Sequence, residues 1–400
     1  MKKAALFIAL LTVGSLAIGG CGNSTINGDV VEDVTLSESD ESDDSENVIE
    51  GTLSDTDTKE STETEKNERD LESLPNLHEM DCASDDEVTM LFTGDIGQAE
   101  GTPITNYFDS VGEDLSQCIS NDTLDVMRSA DILTVNNEFT YSTRGTAIPD
   151  KNYTFRANPS RAHILTDMGA DLVGVANNHI FDYQEDAFFD TLDTIKDLGL
   201  PYVGAGKDID EATTPVYFKA NDKIIAVCAA TQVERSTTET QWATEDRCGV
   251  VKCLDDTIFC EEIKEANENA DYVIVFVHWG LEGSEYYAED QVALAEDFVD
   301  AGADAIIGGH PHVLQGISYI DDVPVIYSLG NFWFNTYARD TGMAKLIIND
   351  EGIKMQFIPC GTGDCRTWLP EGDDKARIIN YMQSISSGVK LDEDGYVSKS

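Results

Sequence analysis

The chain has 400 residues, with 26 basic against 76 acidic side chains, a formal net charge of −50. That balance argues against a nucleic-acid binder, because a polyphosphate needs a basic surface to release its counterions. A hydrophobic content of 41% allows one large core or two smaller ones, so the chain is not disordered throughout.

Lys2 and Lys3 precede an apolar run over residues 4–18, too short for a typical spanning helix, and Ile18-Gly19-Gly20-Cys21 follows. The pattern looks like a bacterial lipoprotein signal over 1–21, with small residues that admit a peptidase and a Cys21 sulfur that accepts the lipid. It predicts a protein held by acyl chains on the outer face of the bacterial cell membrane; an ordinary secretory signal with an incidental cysteine is the alternative. Residues 22–80 carry 19 acidic and 3 basic side chains and almost no aromatics. Such a segment buries too little to offset its ordering entropy, so a disordered acidic tether is expected. The remainder, 81–400, is expected to form one folded domain with 57 acidic and 21 basic residues, a net charge of −36.

From Glu87 short apolar runs alternate with amphipathic stretches. Strands are expected at 88–92, 132–135, 171–176 and 202–203, and helices at 124–130, 160–168 and 184–198. A hairpin at 216–229 should turn at Asn221-Asp222. The second half repeats the scheme: strand 272–277, helix 290–301, strand 305–307, and a hairpin at 316–328 turning at Asp321-Asp322. Strands at 345–348 and 353–358 and a helix at 375–387 close the domain, and no internal repeat is seen. Alternating strands and helices with hairpins imply α/β layers with mixed sheets.

Ligands in open α/β sheets gather at the carboxyl ends of strands. Those ends carry Asp95, Glu138, Asn178, His179, His278, His310 and His312. Imidazoles, carboxylates and an amide oxygen are the groups that hold a borderline transition metal. Each element alone has a plainer explanation: Gly94-Asp95 as a turn, Asn177-Asn178-His179 as a helix cap, His278 as a satisfied core histidine. In His310-Pro311-His312, an extended backbone would point both imidazoles to one side. Five of the six histidines lie within 163–312, and four of those five stand where a strand stops. The joint pattern indicates a metal centre.

Gly94-Asp95, Asn137-Glu138, Asn177-Asn178-His179 with Asp182, His278-Trp279-Gly280, His310-Pro311-His312 and Ser328-Leu329-Gly330-Asn331-Phe332 occur in that order. Over roughly residues 87–335 the chain thereby resembles the poly-γ-glutamate capsule biosynthesis (CapA) family, within the calcineurin-like metallophosphatase superfamily. The resemblance implies a four-layer α/β/β/α sandwich and a site of one or two divalent metals, manganese, zinc or iron. By the same resemblance, Asp95, Glu138, Asn178, His278, His310 and His312 would be ligands, His179 a general acid, and Asp182 the group that orients its ring. The wider superfamily places a histidine two residues after the first aspartate, where this chain has Gly97, so one metal position is expected to be weak or empty.

Such a site suits a metal-dependent hydrolase acting on a phosphoester or an amide bond. The implied partners are a cell-surface polymer such as poly-γ-glutamate, membrane synthase subunits, and the membrane through the lipid anchor. A polyanion should be repelled by a domain of charge −36, so the metals, Arg156 and Arg161 are candidates for a local positive patch, with Asn331 as a further substrate contact. Two other functions fit the residues: a secreted phosphoesterase acting on small phosphate compounds, and a non-catalytic scaffold for the polymer. Cys82, Cys118, Cys228, Cys248, Cys253, Cys260, Cys360 and Cys365 are an even set outside the cytoplasm, for which disulfides are expected. Cys360 and Cys365 would close one tight loop, while the absence of any CxxC pair argues against a zinc site at Cys248, Cys253 and Cys260.

Overall fold

A computed structural model describes residues 71, 74–234, 240–334 and 336–400. The signal peptide with Cys21, and the tether up to residue 70, lie outside the described residues.

Two mixed sheets form the frame. The first has seven strands in the order Leu77–Met80, Val216–Ala220, Lys223–Thr231, Tyr272–His278, Ala305–Gly309, Val323–Leu329, Leu314–Ile320. The second has eight, with the path Arg366–Trp368, Gly352–Gly363, Arg339–Asn349, Val88–Ile96, Ile132–Asn137, Leu172–Gly174, Tyr202–Val203; Asn331–Trp333 also pairs with Val88–Ile96. Lys223–Thr231, Tyr272–His278, Ala305–Gly309 and Val323–Leu329 run parallel, as do Val88–Ile96, Ile132–Asn137, Leu172–Gly174 and Tyr202–Val203. Both expected hairpins form, with Asn221 and Asp321 in the left-handed conformation that Asn and Asp tolerate in tight turns.

Alternating side chains along these strands sort into separate cores, as the period of two requires. In Lys223–Thr231, Ile225, Val227 and Ala229 face a core shared with Met90, Phe92 and Leu172 of the other sheet. Ala226, Cys228 and Ala230 face outward against Phe259, Ile263 and Phe298 of helices Thr257–Asn269 and Glu289–Ala301. On the far side, Leu91, Leu133 and Val173 meet Leu124, Leu165 and Phe188 of helices Asn121–Arg128, His163–Met168 and Gln184–Asp197. Helix, sheet, sheet, helix is the expected four-layer sandwich.

Three expectations are corrected. Leu77–Met80, assigned to the tether, is instead an edge strand parallel to Val216–Ala220, and Leu71, Leu74 and Leu77 pack on the outer core. The helix expected at 160–168 begins as a 3₁₀ turn, Pro159–Ala162, opened by Pro159 and capped by Asn158, a common way for an α-helix to start. All eight cysteines named above are unpaired. Cys360 and Cys365 do not close a loop: the Cys365 thiol faces the Pro103 carbonyl at 3.4 Å, whereas the Cys360 thiol faces the Ile358 carbonyl at 3.8 Å.

Candidate metal centre

Parallel strands of both sheets deliver their carboxyl ends to one place. Asp95 closes Val88–Ile96, Glu138 follows Ile132–Asn137, His278 closes Tyr272–His278, and His310 follows Ala305–Gly309. Asp95 and Glu138 are fully buried; Asn178, His179, His278, His310 and Asn331 are nearly so.

The polar atoms converge. His278 Nε2 lies 2.8 Å from Asn178 Oδ1, 3.4 Å from Glu138 Oε1 and 3.1 Å from His310 Nδ1. His312 lies 3.4 Å from Asp95 through Nδ1 and 4.0 Å from Glu138 through Nε2. Ligand atoms of Glu138, His310 and His312 lie within 4.8 Å of one another. All six expected ligands therefore meet at one site.

Among the described residues neither oxygen of Glu138 has a hydrogen-bond partner, although the residue is fully buried. A desolvated carboxylate left that way costs several kcal/mol, about what a bound cation would relieve. Together with three imidazoles, a second carboxylate and an amide oxygen, this donor set fits a divalent transition metal. Burial works against the charged form of Asp95, but His312, His278 and Asn136 outweigh it and hold its carboxyl below the ordinary value. Burial and the neighbouring His278 and His312 push His310 well below the usual imidazole range. His312 goes the other way: burial opposes its charge, yet Glu138 and Asp95 push it up to about 10.

The 310–312 segment corrects the sequence argument for the two imidazoles. The backbone is not extended; His310 and His312 both sit in the left-handed region, at φ 94° and 59°. Such conformations cost about 1–3 kcal/mol each and persist where surroundings over-determine them. Here the His310 N–H donates to Asp95 Oδ2 at 3.2 Å, and His312 Nδ1 lies 2.8 Å from Asn331 Oδ1. Gly309 makes room, since a Cβ there would stand 2.8 Å from Asp95 Oδ1.

His179 stands beside this cluster. Its Nδ1 is 2.7 Å from Asp182 Oδ2 and its Nε2 is 3.9 Å from Glu138 Oε1, so Asp182 orients the ring towards the ligands. Asn177 shapes the turn by accepting from the N–H groups of His179 and Ile180. Helix Gln184–Asp197 itself starts at Tyr183 without a side-chain cap.

The two arginines have partners outside the ligand cluster. Arg156 stacks on the Tyr183 ring, 4.1 Å from its centre, and donates to the Arg144 carbonyl; Arg161 pairs with Glu100 and Asp109. Asn331 is engaged with His312. Asn136 went unrecognised in the sequence, yet its Nδ2 donates to Asp95 Oδ1 at 2.7 Å. The Asn136-Asn137-Glu138 run at a strand end was the available signal. Phe334 was also missed. Its ring would lie 2.8 Å from a Cβ at Gly97 and is tilted against His312, with ring centres 4.9 Å apart, so it fills the space beside Gly97.

Residues 89–336 match the family described as bacterial capsule synthesis protein PGA_cap. The chain is 32% identical to the PGA biosynthesis protein CapA of Bacillus subtilis (strain 168) over 276 residues, 67% of this chain and 70% of that one. It is 33% identical over 210 residues to the capsule biosynthesis protein CapA of Bacillus anthracis, covering 51% of this chain and 50% of that one. Among solved structures, a 5'-nucleotidase from Candida albicans SC5314 is a distant likeness, with 12% identity, a TM-score of 0.38, and coverage of 71% of this chain and 52% of that one. The chain belongs to the bacterial capsule synthesis protein PGA_cap family.

Proposed function

We propose that this protein serves the production of a cell-surface polymer of the poly-γ-glutamate type, as a metal-dependent hydrolase anchored by Cys21 to the outer face of the bacterial membrane. The observation that carries the catalytic part is the buried, unpartnered Glu138 carboxylate among His278, His310, His312 and Asn178, with the His179–Asp182 pair alongside. The polymer comes from the names of the two CapA relatives.

Asp95, Glu138, Asn178, His278, His310 and His312 would hold divalent metal ions. When bound, such ions stabilise developing oxygen charge and supply a nucleophile from water at neutral pH. The chain's own part falls to His179. Asp182 accepts from its Nδ1–H, leaving Nε2 on the cluster side as the atom that passes a proton to the leaving oxygen or nitrogen. Phe155 lies against His179 and Phe334 against His312, with ring centres 4.4 and 4.9 Å apart, and both restrict water there.

The test is an activity screen on the full chain loaded with manganese or zinc, using a γ-glutamyl oligomer for amide cleavage and phosphomonoesters and phosphodiesters for phosphoryl chemistry. Turnover that requires added metal supports the hydrolase reading. Stoichiometric metal with no turnover on either class rejects it in favour of the scaffold, which the Phe334 ring against Gly97 would then help explain.

A further inference from the structure

The segment before strand Arg156–Ala157 wraps one residue. The Ile148 N–H donates to the Asp182 carbonyl at 2.8 Å, and the Phe155 N–H donates to Asp182 Oδ2 at 2.6 Å. Between them, Lys151 Nζ lies 2.6 Å from Asp182 Oδ1 and also donates to the backbone carbonyl of Asn178. Asp150 adopts φ 63°, turning the chain so that the next side chain runs inward; the Lys151 side chain is only 10% exposed. It borders a cavity of about 450 Å³ that Asn178, His179 and His310 also line.

One ammonium thus reaches two points of the 178–182 turn. At one end is the main chain of the residue whose amide oxygen meets His278; at the other is the carboxylate that holds the His179 ring. An Nζ is a compact charge with three donors, able to bridge a carboxylate and a carbonyl at once. Burying a lysine is costly unless it is paired, and this one is paired with a fully buried aspartate.

We propose that Lys151 is a positioning residue: by tying the Asp182 carboxylate to the Asn178 main chain, it aims His179 Nε2 at the ligand cluster. Removing the ammonium frees the Asp182 carboxylate to rotate and takes the donor from Asn178, so the imidazole drifts. A displacement of about 1 Å at a proton donor costs on the order of 10²-fold in rate. The kinetic consequence rests on the hydrolase reading; the ring geometry does not.

The experiment uses the full chain as wild type, Lys151→Met and Lys151→Arg. With zinc bound, the histidine rings are followed by long-range proton–nitrogen NMR, the His179 signal being assigned by its loss in His179→Ala. Wild type should show the strongly deshielded Nδ1 proton of a carboxylate-bound imidazole. Lys151→Met should lose or shift it while folding and metal content are kept, and Lys151→Arg should restore it at least in part. On a dithymidine phosphodiester with manganese, whose alkoxide leaving group must take up a proton, Lys151→Met should lower kcat by ~10²-fold with KM within about twofold. An unchanged His179 signal in Lys151→Met overturns the proposal, as does a raised KM at unchanged kcat, which would make Lys151 a substrate-binding cation. If the wild type turns over nothing, the hydrolase reading fails while the ring signals still decide the role of Lys151.

Discussion

Replacing Glu138 with glutamine keeps the shape of the side chain and removes the charge that no protein donor satisfies. His278, His179 and His312 place nitrogens 3.4, 3.9 and 4.0 Å from Oε1, and none of them makes a hydrogen bond to it. If those groups form a metal cage, a metal at 100 times its Kd should stabilise the wild-type fold by about 2.7 kcal/mol. For a domain of this size that is roughly 5 °C in Tm. Glu138→Gln should cut the metal-induced rise to under about 1 °C and lower metal content in parallel, because a neutral amide is a far weaker ligand. The assay is thermal unfolding of chelator-treated protein with and without added manganese, alongside elemental analysis. Wild-type Tm gain and metal content in Glu138→Gln would refute the reasoning and leave Glu138 an unexplained buried acid.

His179→Ala should keep its metals, with turnover on any substrate found lowered by ~10²–10⁴-fold, whereas His310→Ala should lower metal content itself; elemental analysis with steady-state kinetics separates the two. A chain starting at Asp81 should unfold earlier than one starting at Lys66, by roughly 1–3 kcal/mol, because it lacks the edge strand Leu77–Met80 and the packing of Leu71, Leu74 and Leu77; denaturant titration measures the difference. Glu262 is nearly fully buried on helix Thr257–Asn269, with the Cys228 thiol beside it, and burial holds its carboxyl well above the ordinary value. Its folded form therefore binds its proton more tightly than the unfolded chain. The stability it contributes is full below about pH 4 and is lost as pH rises, by up to about 1.4 kcal/mol per unit until the folded value is passed. The stability advantage of Glu262→Gln over wild type should widen across that range, and parallel pH curves for the two proteins would contradict this.

Much of the frame was legible because it is local. Alternation in 216–229 and 316–328, with Asn-Asp and Asp-Asp between the runs, sets hairpins through backbone preferences that neighbouring residues carry. The site was legible for a related reason: in a parallel sheet every strand ends on the same side, so polar residues that each follow a strand must meet. The edge strand Leu77–Met80 was not legible, since Leu-His-Glu-Met is too short to show an alternating pattern where it follows the acidic segment, and pairing with Val216–Ala220 is what marks it as a strand. Which groups hold the ligands also depended on contacts across long stretches of chain. Lys151 reaches Asp182 across 31 residues, Asn136 reaches Asp95 across 41, and Phe334, just past strand Asn331–Trp333, reaches the space at Gly97. The bend at His310 and His312 shows the division most plainly. The residues alone suggested an extended pair, but the backbone takes two left-handed turns because Asp95 and Asn331, distant in sequence, supply the hydrogen bonds that hold it there. Residue type and strand order selected the chemistry; tertiary packing decided where each donor points, because that orientation is set by partners no local pattern encodes.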